Sequence, residues 1–158
     1  MSLGEYIGAG ASITKGLWHL NGNINDSSGN NTVTYFGGSP TPSYNNGKFG
    51  QGVVFNGSSN FLYIADTNFG GTGSFTMSVW AKLISTSGLQ TLISQYGITT
   101  GYAKFFFGFQ SGGNLCFYLY NTSGTGYLTI DTSLSLSTGV MRNYIATYND
   151  SSKSSVLS

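Results

Sequence analysis

The side chains most often used in catalysis are scarce in this chain of 158 residues. The sole histidine, His19, is flanked by Trp18 and Leu20 and is interpreted as a strand residue rather than a general base. Ser-His-Asp chemistry would rest on His19 alone, without the Gly-x-Ser-x-Gly context of a nucleophilic serine. The single cysteine, Cys116, lies in the apolar run LCFYLY, which predicts a small buried residue and excludes an internal disulfide or a thiol pair for zinc.

The acidic residues are equally few, and the sequence does not pair them. A retaining glycoside hydrolase needs two carboxylates about 5–5.5 Å apart. The only glutamate is Glu5, and the four aspartates are scattered near predicted loops or strand ends: Asp26, Asp66, Asp131 and Asp150. Because no two carboxylates share a predicted strand face, the sequence predicts that this protein is not an enzyme.

One polar loop has a composition that suits a metal ion. Residues 21–30 read NGNINDSSGN, which combines short oxygen-bearing side chains with glycines that let carbonyl groups converge. Calcium takes about six to eight oxygens from carboxylates, amide carbonyls and backbone. We therefore expect any calcium at this loop, with Asp26 as the one carboxylate and Asn23, Asn25 and Asn30 as amide ligands. The alternative is an Asx-rich turn whose side chains bond to their own backbone.

Composition limits the elements that could position these residues. Charged residues make up 7% of the chain, whereas ordinary soluble domains have about a quarter. Amphipathic helices need charged and amide side chains on their wet faces, so a helical protein is nearly excluded. The net charge of +1 provides no basic face for nucleic acid. No apolar run approaches the roughly 20 residues of a membrane span, and the N-terminus does not read as a signal peptide.

Short apolar runs between Gly- and Asn-rich turns predict an all-β protein. The run 74–83, SFTMSVWAKL, alternates cleanly and places Phe75, Met77 and Val79 on one side. Trp80 lies on the other side and is interpreted as a packing anchor rather than a ligand platform. Turns every 8–12 residues or so predict a two-sheet antiparallel sandwich or jelly roll. Strands are expected at 33–36, 53–57, 61–65, 74–83, 89–96, 103–110, 114–120, 126–130 and 140–148.

Two neighbouring predicted strands, 103–110 and 114–120, are apolar on both faces. One face of each is expected to fill the core between the sheets. That set is Phe105, Phe107, Phe109, Leu115, Phe117 and Leu119. Phe106, Tyr118 and Tyr120 lie on the opposite face, where tyrosine offers a ring for stacking and a hydroxyl for sugar binding. The alternative is a Tyr-rich exterior that compensates for the few charges.

Four blocks of this sequence resemble the laminin G-like domains of the concanavalin A-like lectin/glucanase superfamily. They are GLWHLNGNINDSSGNN, NNGKFGQGVVFNGSSNFLYIAD, GSFTMSVWAKL and NYIATYND, in the family's order. The similarity runs from about Lys15 to the end, so residues 1–14 are expected to be an N-terminal extension or vector-derived residues. The resemblance implies a curved two-sheet antiparallel jelly roll, used mostly for extracellular recognition and commonly holding a structural calcium.

The resemblance also implies that the domain, residues 15–158, lacks its last strands. In the family, a strand like 143–148 is followed by a hairpin and by two or more further strands that close the sandwich. We therefore expect a C-terminally truncated domain with an open sheet edge. Unpaired backbone groups at such an edge invite self-association with a second copy.

The sequence as a whole predicts a non-catalytic module that recognises carbohydrate. The resemblance places it in a larger surface or phage-related protein, outside the cell, at the cell surface or on a virion. The expected partner is a glycan or a surface protein, and calcium is the one cofactor expected. The alternative is a structural or protein-binding adhesin or spacer module with no sugar site. Ligand contacts are expected from loop aromatics and amides, namely Tyr44, Asn45, Tyr96, Tyr102 and Tyr127.

Overall fold

All regular elements that the structure describes are β-strands. The structure is a computed structural model, and it describes residues 14–37, 41–64, 73–96, 103–120 and 126–158. The all-β prediction is therefore confirmed. In the described part of the chain, no helix has the length and apolarity that a membrane span needs. By its internal contacts the chain divides into two units, residues 1–67 and residues 68–158.

The described residues of the first unit form four short strands in two antiparallel pairs. They are β1 (Val33–Phe36), β2 (Ser43–Asn46), β3 (Gln51–Val54) and β4 (Phe61–Ile64). Strand β1 pairs with β4, and β2 pairs with β3. The β2–β3 turn is closed by a hydrogen bond from Gly47 N to Gly50 O at 2.8 Å. Gly50 has a φ of 77°, which a residue without Cβ adopts at no steric cost.

The second unit contains two antiparallel sheets. Its strands are β5 (Phe75–Lys82), β6 (Gln90–Tyr96), β7 (Ala103–Phe109), β8 (Asn114–Tyr120), β9 (Gly126–Ser135), β10 (Met141–Asn149) and β11 (Ser154–Leu157). One sheet has the order β11–β10–β5, and the other has the order β6–β7–β8–β9. The four-stranded sheet is a meander in which each strand pairs with its neighbour in sequence.

The two sheets of the second unit pack face to face over an aromatic core. Phe107 and Phe117 are 0% exposed, and their rings meet edge to face at 6.4 Å. Phe109 on β7 contacts Tyr144 on β10 at 5.0 Å, so ring contacts join the two sheets. The predicted core set is buried throughout: Phe105, Phe107, Phe109, Leu115, Phe117 and Leu119. The predicted two-sheet antiparallel sandwich is confirmed.

The structure corrects three local expectations. Residues 43–46 form β2, a strand that is absent from the expected strands. Strand β3 ends at Val54, so the predicted strand 53–57 is placed too late in the sequence. Trp80 is 41% exposed on the outer face of the three-stranded sheet. Its interpretation as a packing anchor is therefore wrong.

Candidate functional site

The outer face of the four-stranded sheet, on the side away from the core, carries connected aromatic and polar side chains. Phe106 lies on this face because its neighbours Phe105 and Phe107 are buried in the core. The register places Tyr118 directly opposite Phe106, and Cys116 opposite Asp131. We call the set Phe106, Gln110, Tyr118, Tyr120 and Asp131 the outer cluster.

Ring contacts hold the aromatic part of the outer cluster together. Phe106 stacks on Tyr118 with ring centroids 5.8 Å apart, and Tyr120 meets Tyr118 edge to face at 6.4 Å. Phe106 is buried, whereas the two tyrosines are half-buried. Gly108 makes room for this arrangement, since a Cβ there would lie 2.7 Å from Cζ of Phe106. The cluster therefore presents tyrosine rings on a rigid strand scaffold.

A chain of hydrogen bonds fixes the polar part of the outer cluster. The Tyr118 hydroxyl donates to Asp131 Oδ1 at 2.9 Å and accepts a hydrogen bond from the Gln110 side-chain amide. Burial raises the pKa of Tyr118, and its hydrogen bond to Asp131 raises that pKa further. The phenol therefore remains protonated and keeps donating to Asp131 at physiological pH. Asp131 itself is exposed.

Cys116 lies next to the outer cluster but does not take part in it. The residue is 0% exposed, and its thiol donates to the Gly108 carbonyl at 3.5 Å. Burial raises the pKa of this thiol, so it stays protonated and unreactive. The prediction of a buried cysteine is confirmed. Among the described residues, Asp131 is the one carboxylate of the cluster, so the cluster does not offer the carboxylate pair of glycoside hydrolysis.

The loop predicted to hold calcium is organised around the Asp26 carboxylate. Its Oδ1 accepts hydrogen bonds from the backbone N–H groups of Leu17 at 2.8 Å and Ser28 at 2.9 Å. Its Oδ2 accepts from the Ser28 hydroxyl at 2.7 Å and from the Asn31 amide at 2.5 Å. A carboxylate has about four acceptor positions, so protein donors occupy all of them. The Asp26 carboxylate thereby fastens Leu17 to this loop.

The side chains of two of the three predicted amide ligands, Asn23 and Asn30, also form hydrogen bonds with the chain itself. Asn23 Oδ1 accepts from the Asn25 N–H at 3.0 Å, and the Asn30 amide donates to the Thr14 carbonyl at 3.0 Å. In the described ranges, no group of three or more His, Cys, Asp or Glu side chains could hold a metal. This arrangement does not fit a calcium ion unless the donors on Asp26 turn away. It matches the Asx-turn alternative, and calcium binding stays a prediction.

The hydrogen bonds that the Asp26 carboxylate accepts lead to a prediction for stability. Burial raises the pKa of Asp26, but the hydrogen bonds from Leu17, Ser28 and Asn31 outweigh it and lower that pKa. Asp26→Ala is expected to lower the free energy of unfolding at neutral pH by about 2 kcal/mol, because bonds to charged acceptors are lost. Chemical denaturation measures the loss. Because the pKa of Asp26 is lowered in the folded protein, the difference in unfolding free energy between Asp26→Ala and wild type should shrink as the pH falls through that pKa.

The milder variant Asp26→Asn is the control for this prediction. It keeps one oxygen that can accept the two backbone N–H groups, so it should lose less stability than the alanine variant. Equal stability of Asp26→Ala and wild type at neutral pH would contradict the structural role. The calcium prediction is tested separately, by recording thermal melting curves of the wild-type protein in chelator and in calcium. Identical curves would count against a calcium site in this loop.

The structure places the predicted ligand residues on different elements. Tyr44 and Asn45 lie on β2 of the first unit, where the Asn45 side chain accepts a hydrogen bond from Asn46 N at 2.7 Å. Tyr96 ends β6 and Tyr127 lies in β9, and only their backbones are described. Tyr102 lies outside the described residues. The structure does not show these residues as one site.

The outer cluster contains residues that the ligand prediction omitted. The alternation of Phe106, Tyr118 and Tyr120 was a signal in the sequence, since the opposite face was assigned to the core. For Gln110 and Asp131, alternation along the strand provides no such signal. The Tyr118–Asp131 contact depends on the register between β8 and β9, which shifts between Asn114 and Cys116. The Gln110–Tyr118 contact depends on the register between β7 and β8.

Comparison with known proteins yields one family. A family model for laminin G-type domains, described as the concanavalin A-like lectin/glucanases superfamily, matches residues 55–157. The match covers more than half of the chain and all seven strands of the second unit. It confirms the resemblance from Phe55 onward, whereas the two earlier sequence blocks begin before it. No curated protein and no solved structure gives a significant match.

Proposed function

Because the chain belongs to the concanavalin A-like lectin/glucanase superfamily, as a laminin G-like domain, we propose that it is a non-catalytic module that binds carbohydrate. In this proposal it acts outside the cell, at the cell surface or on a virion, within a larger protein. The membership supports a lectin-like or binding role. The outer cluster is the proposed glycan site.

One observation carries this proposal: the outer cluster places aromatic rings beside a hydrogen-bond acceptor, the Asp131 carboxylate. A sugar ring offers a face of C–H groups and a rim of hydroxyls. Tyr118 and Tyr120 provide half-buried rings for the C–H face. The exposed Asp131 carboxylate can accept from sugar hydroxyls, and hydrogen bonds to a charged acceptor are stronger than neutral ones. The strands hold these groups in place, which reduces the entropy lost on binding.

A glycan array with the whole chain tests the proposal, followed by titration calorimetry on the glycans that bind. Tyr118→Ala is expected to weaken binding by about tenfold or more, equivalent to about 1.4 kcal/mol, because the ring and the tie to Asp131 are both lost. Tyr118→Phe keeps the ring and should lose less affinity. The control is Trp80→Ala, which removes an exposed aromatic side chain from the other sheet.

Three outcomes would contradict the glycan site. The array could show no binding, Tyr118→Ala could bind as well as wild type, or Trp80→Ala could lose binding instead. Circular dichroism of each variant confirms that the sheets are retained. Without that check, a loss of binding would not separate an altered site from an unfolded protein.

The second candidate function is a protein-binding or spacer module, and one observation favours it. Several large apolar side chains of the second unit are exposed: Trp80, Ile84, Leu89, Val140 and Val156. Exposed apolar side chains are typical of protein interaction sites where they form a contiguous patch. Self-association through a sheet edge is one form of this proposal. Size-exclusion chromatography with light scattering would then give a mass above the 16.7 kDa of one chain.

A further inference from the structure

We propose that the protein forms a reversible two-fold dimer through the outer face of its three-stranded sheet. This surface, the dimer face, consists of every second residue from Thr76 to Lys82 on β5, from Met141 to Asn149 on β10 and from Ser154 to Val156 on β11. The outer cluster belongs to the other sheet and lies on the opposite side of the sandwich. The contact is therefore separate from the glycan site, and it also differs from pairing along a sheet edge.

Three apolar side chains cross the dimer face as a diagonal stripe: Trp80 on β5, Ile145 on β10 and Val156 on β11. Ile145 points outward because its neighbours Tyr144 and Ala146 are buried in the core. The register places Trp80 and Val156 at diagonal positions next to Ile145, about 7–8 Å away and within reach of large side chains. Trp80 is 41% exposed and Val156 is 64% exposed. The stripe is therefore a contiguous apolar surface that reaches solvent in one chain alone.

The polar side chains beside the stripe form hydrogen bonds with one another. The Ser78 hydroxyl donates to Asn143 Oδ1 at 3.0 Å, and the hydroxyl oxygens of Thr76 and Thr147 lie 3.2 Å apart in a second hydrogen bond. Covering a polar group costs free energy mainly where the group loses its hydrogen-bond partner. These four side chains keep their partners when another sheet covers them, so the whole face can be buried at little cost.

The charges of the dimer face favour a second copy as the occupant. Along its described strands, Lys82 is the one charged side chain, and it ends β5. A two-fold axis across the strands places the two lysines at opposite ends of the contact. The Asp150–Lys153 ion pair lies in the turn beyond the face and carries no net charge. A different partner would be selected by complementary charges, which this face does not present, whereas a second copy brings the same uncharged surface.

The size of the dimer face predicts a weak dimer. Strands β5 and β10 pair over eight positions, and β11 adds four more beside β10. With strands about 4.8 Å apart and about 3.4 Å per residue, the face covers roughly 350 Å² in projection. Standard specific interfaces bury about 800 Å² per partner. The dissociation constant is therefore expected in the micromolar to millimolar range.

Sedimentation velocity over a dilution series from micromolar to millimolar protein tests the dimer. The mass of the wild type should rise with concentration toward twice the 16.7 kDa of one chain. Val156→Asp places an unpaired charge in the stripe, and the two-fold symmetry repeats it in the partner. This variant is expected to weaken dimerisation by about tenfold or more. Trp80→Ala should weaken it to a similar degree, since buried tryptophans dominate interface energies.

Two control variants separate the dimer face from the rest of the surface. Ile84 is 71% exposed in the loop after β5, so Ile84→Asp makes the same change of charge outside the face and should dimerise like wild type. Ile145 and Ser158 exchange both backbone hydrogen bonds, which turns the N–H of Ser155 away from β10 toward the free edge of β11. Ser155→Pro removes that N–H and should block edge pairing while leaving the face dimer intact.

Circular dichroism melting of each variant shows whether the sheets are retained, so that a loss of dimer is not confused with unfolding. A wild type that remains monomeric over the whole series would overturn the proposal. Val156→Asp dimerising as well as Ile84→Asp would also overturn it. Loss of the dimer in Ser155→Pro, with retention in Val156→Asp, would assign self-association to the sheet edge instead.

Discussion

Replacing Phe117 by alanine is expected to lower the free energy of unfolding by about 3–5 kcal/mol. Phe117 is 0% exposed, and its ring meets Phe107 at 6.4 Å and Phe75 at 6.1 Å, both edge to face. Because Phe75 belongs to the opposite sheet, the ring of Phe117 ties the two sheets together. The interior is close-packed, so neighbouring side chains would close the resulting cavity only in part. Urea denaturation followed by circular dichroism gives the difference.

An exposed phenylalanine serves as the matched control for this substitution. Phe49 is 65% exposed, and Phe49→Ala should change the free energy of unfolding by about 0.5 kcal/mol or less. Similar midpoints for the two variants would show that Phe117 does not anchor the sandwich. A change in the slope of the denaturation curve would instead indicate that the unfolding has ceased to be two-state.

Gly108→Ala is expected to destabilise the protein by about 2–3 kcal/mol, because the new methyl group has no space. A Cβ at this position would overlap the Gln90 carbonyl oxygen and lie 2.7 Å from Cζ of Phe106. Relief would require β6 to shift or the Phe106 ring to leave its place beside Tyr118. We therefore expect this variant to lose glycan affinity as well as stability. Thermal melting and calorimetry measure the two losses.

Gly52→Ala provides the corresponding control. A Cβ at Gly52 would meet Gly47 Cα at an ordinary 3.6 Å, so this strand glycine has room for a methyl group. Its effect on stability should be within about 0.5–1 kcal/mol and can be favourable, because alanine restricts the unfolded chain. If Gly108→Ala behaved like Gly52→Ala, the close packing of β6 against β7 would be wrong.

Much of the sandwich could be predicted from sequence because side chains alternate along a strand. The pattern of β5 and the repeated apolar residues of β7 and β8 identified the core faces, which the structure buries. Alternation shows which side chains share a face of a strand, but not how exposed an outer face is to solvent. The exposure of Trp80 was therefore not predicted. Alternation also fails for β2, since SYNN has few apolar residues to set a period.

The candidate site could be predicted only in part, because its polar contacts depend on register. The tyrosines on the outer face of β8 follow from alternation alone. The link from Tyr118 to Asp131 depends on how β8 pairs with β9, and the pairing contains an irregularity that no local pattern announces. Similarly, the composition of residues 21–30 shows that oxygens are present. It does not show whether Asp26 faces a metal ion or N–H donors.

The most direct test of the glycan site is to map amide chemical shifts in the ¹⁵N-labelled protein during titration with a glycan found on the array. We predict that the largest changes occur at Phe106, Tyr118 and Asp131, on three neighbouring strands of the four-stranded sheet, while Trp80 is unaffected. Changes confined to Trp80 and its strand neighbours, or to Tyr44 on β2, would contradict a glycan site at the outer cluster.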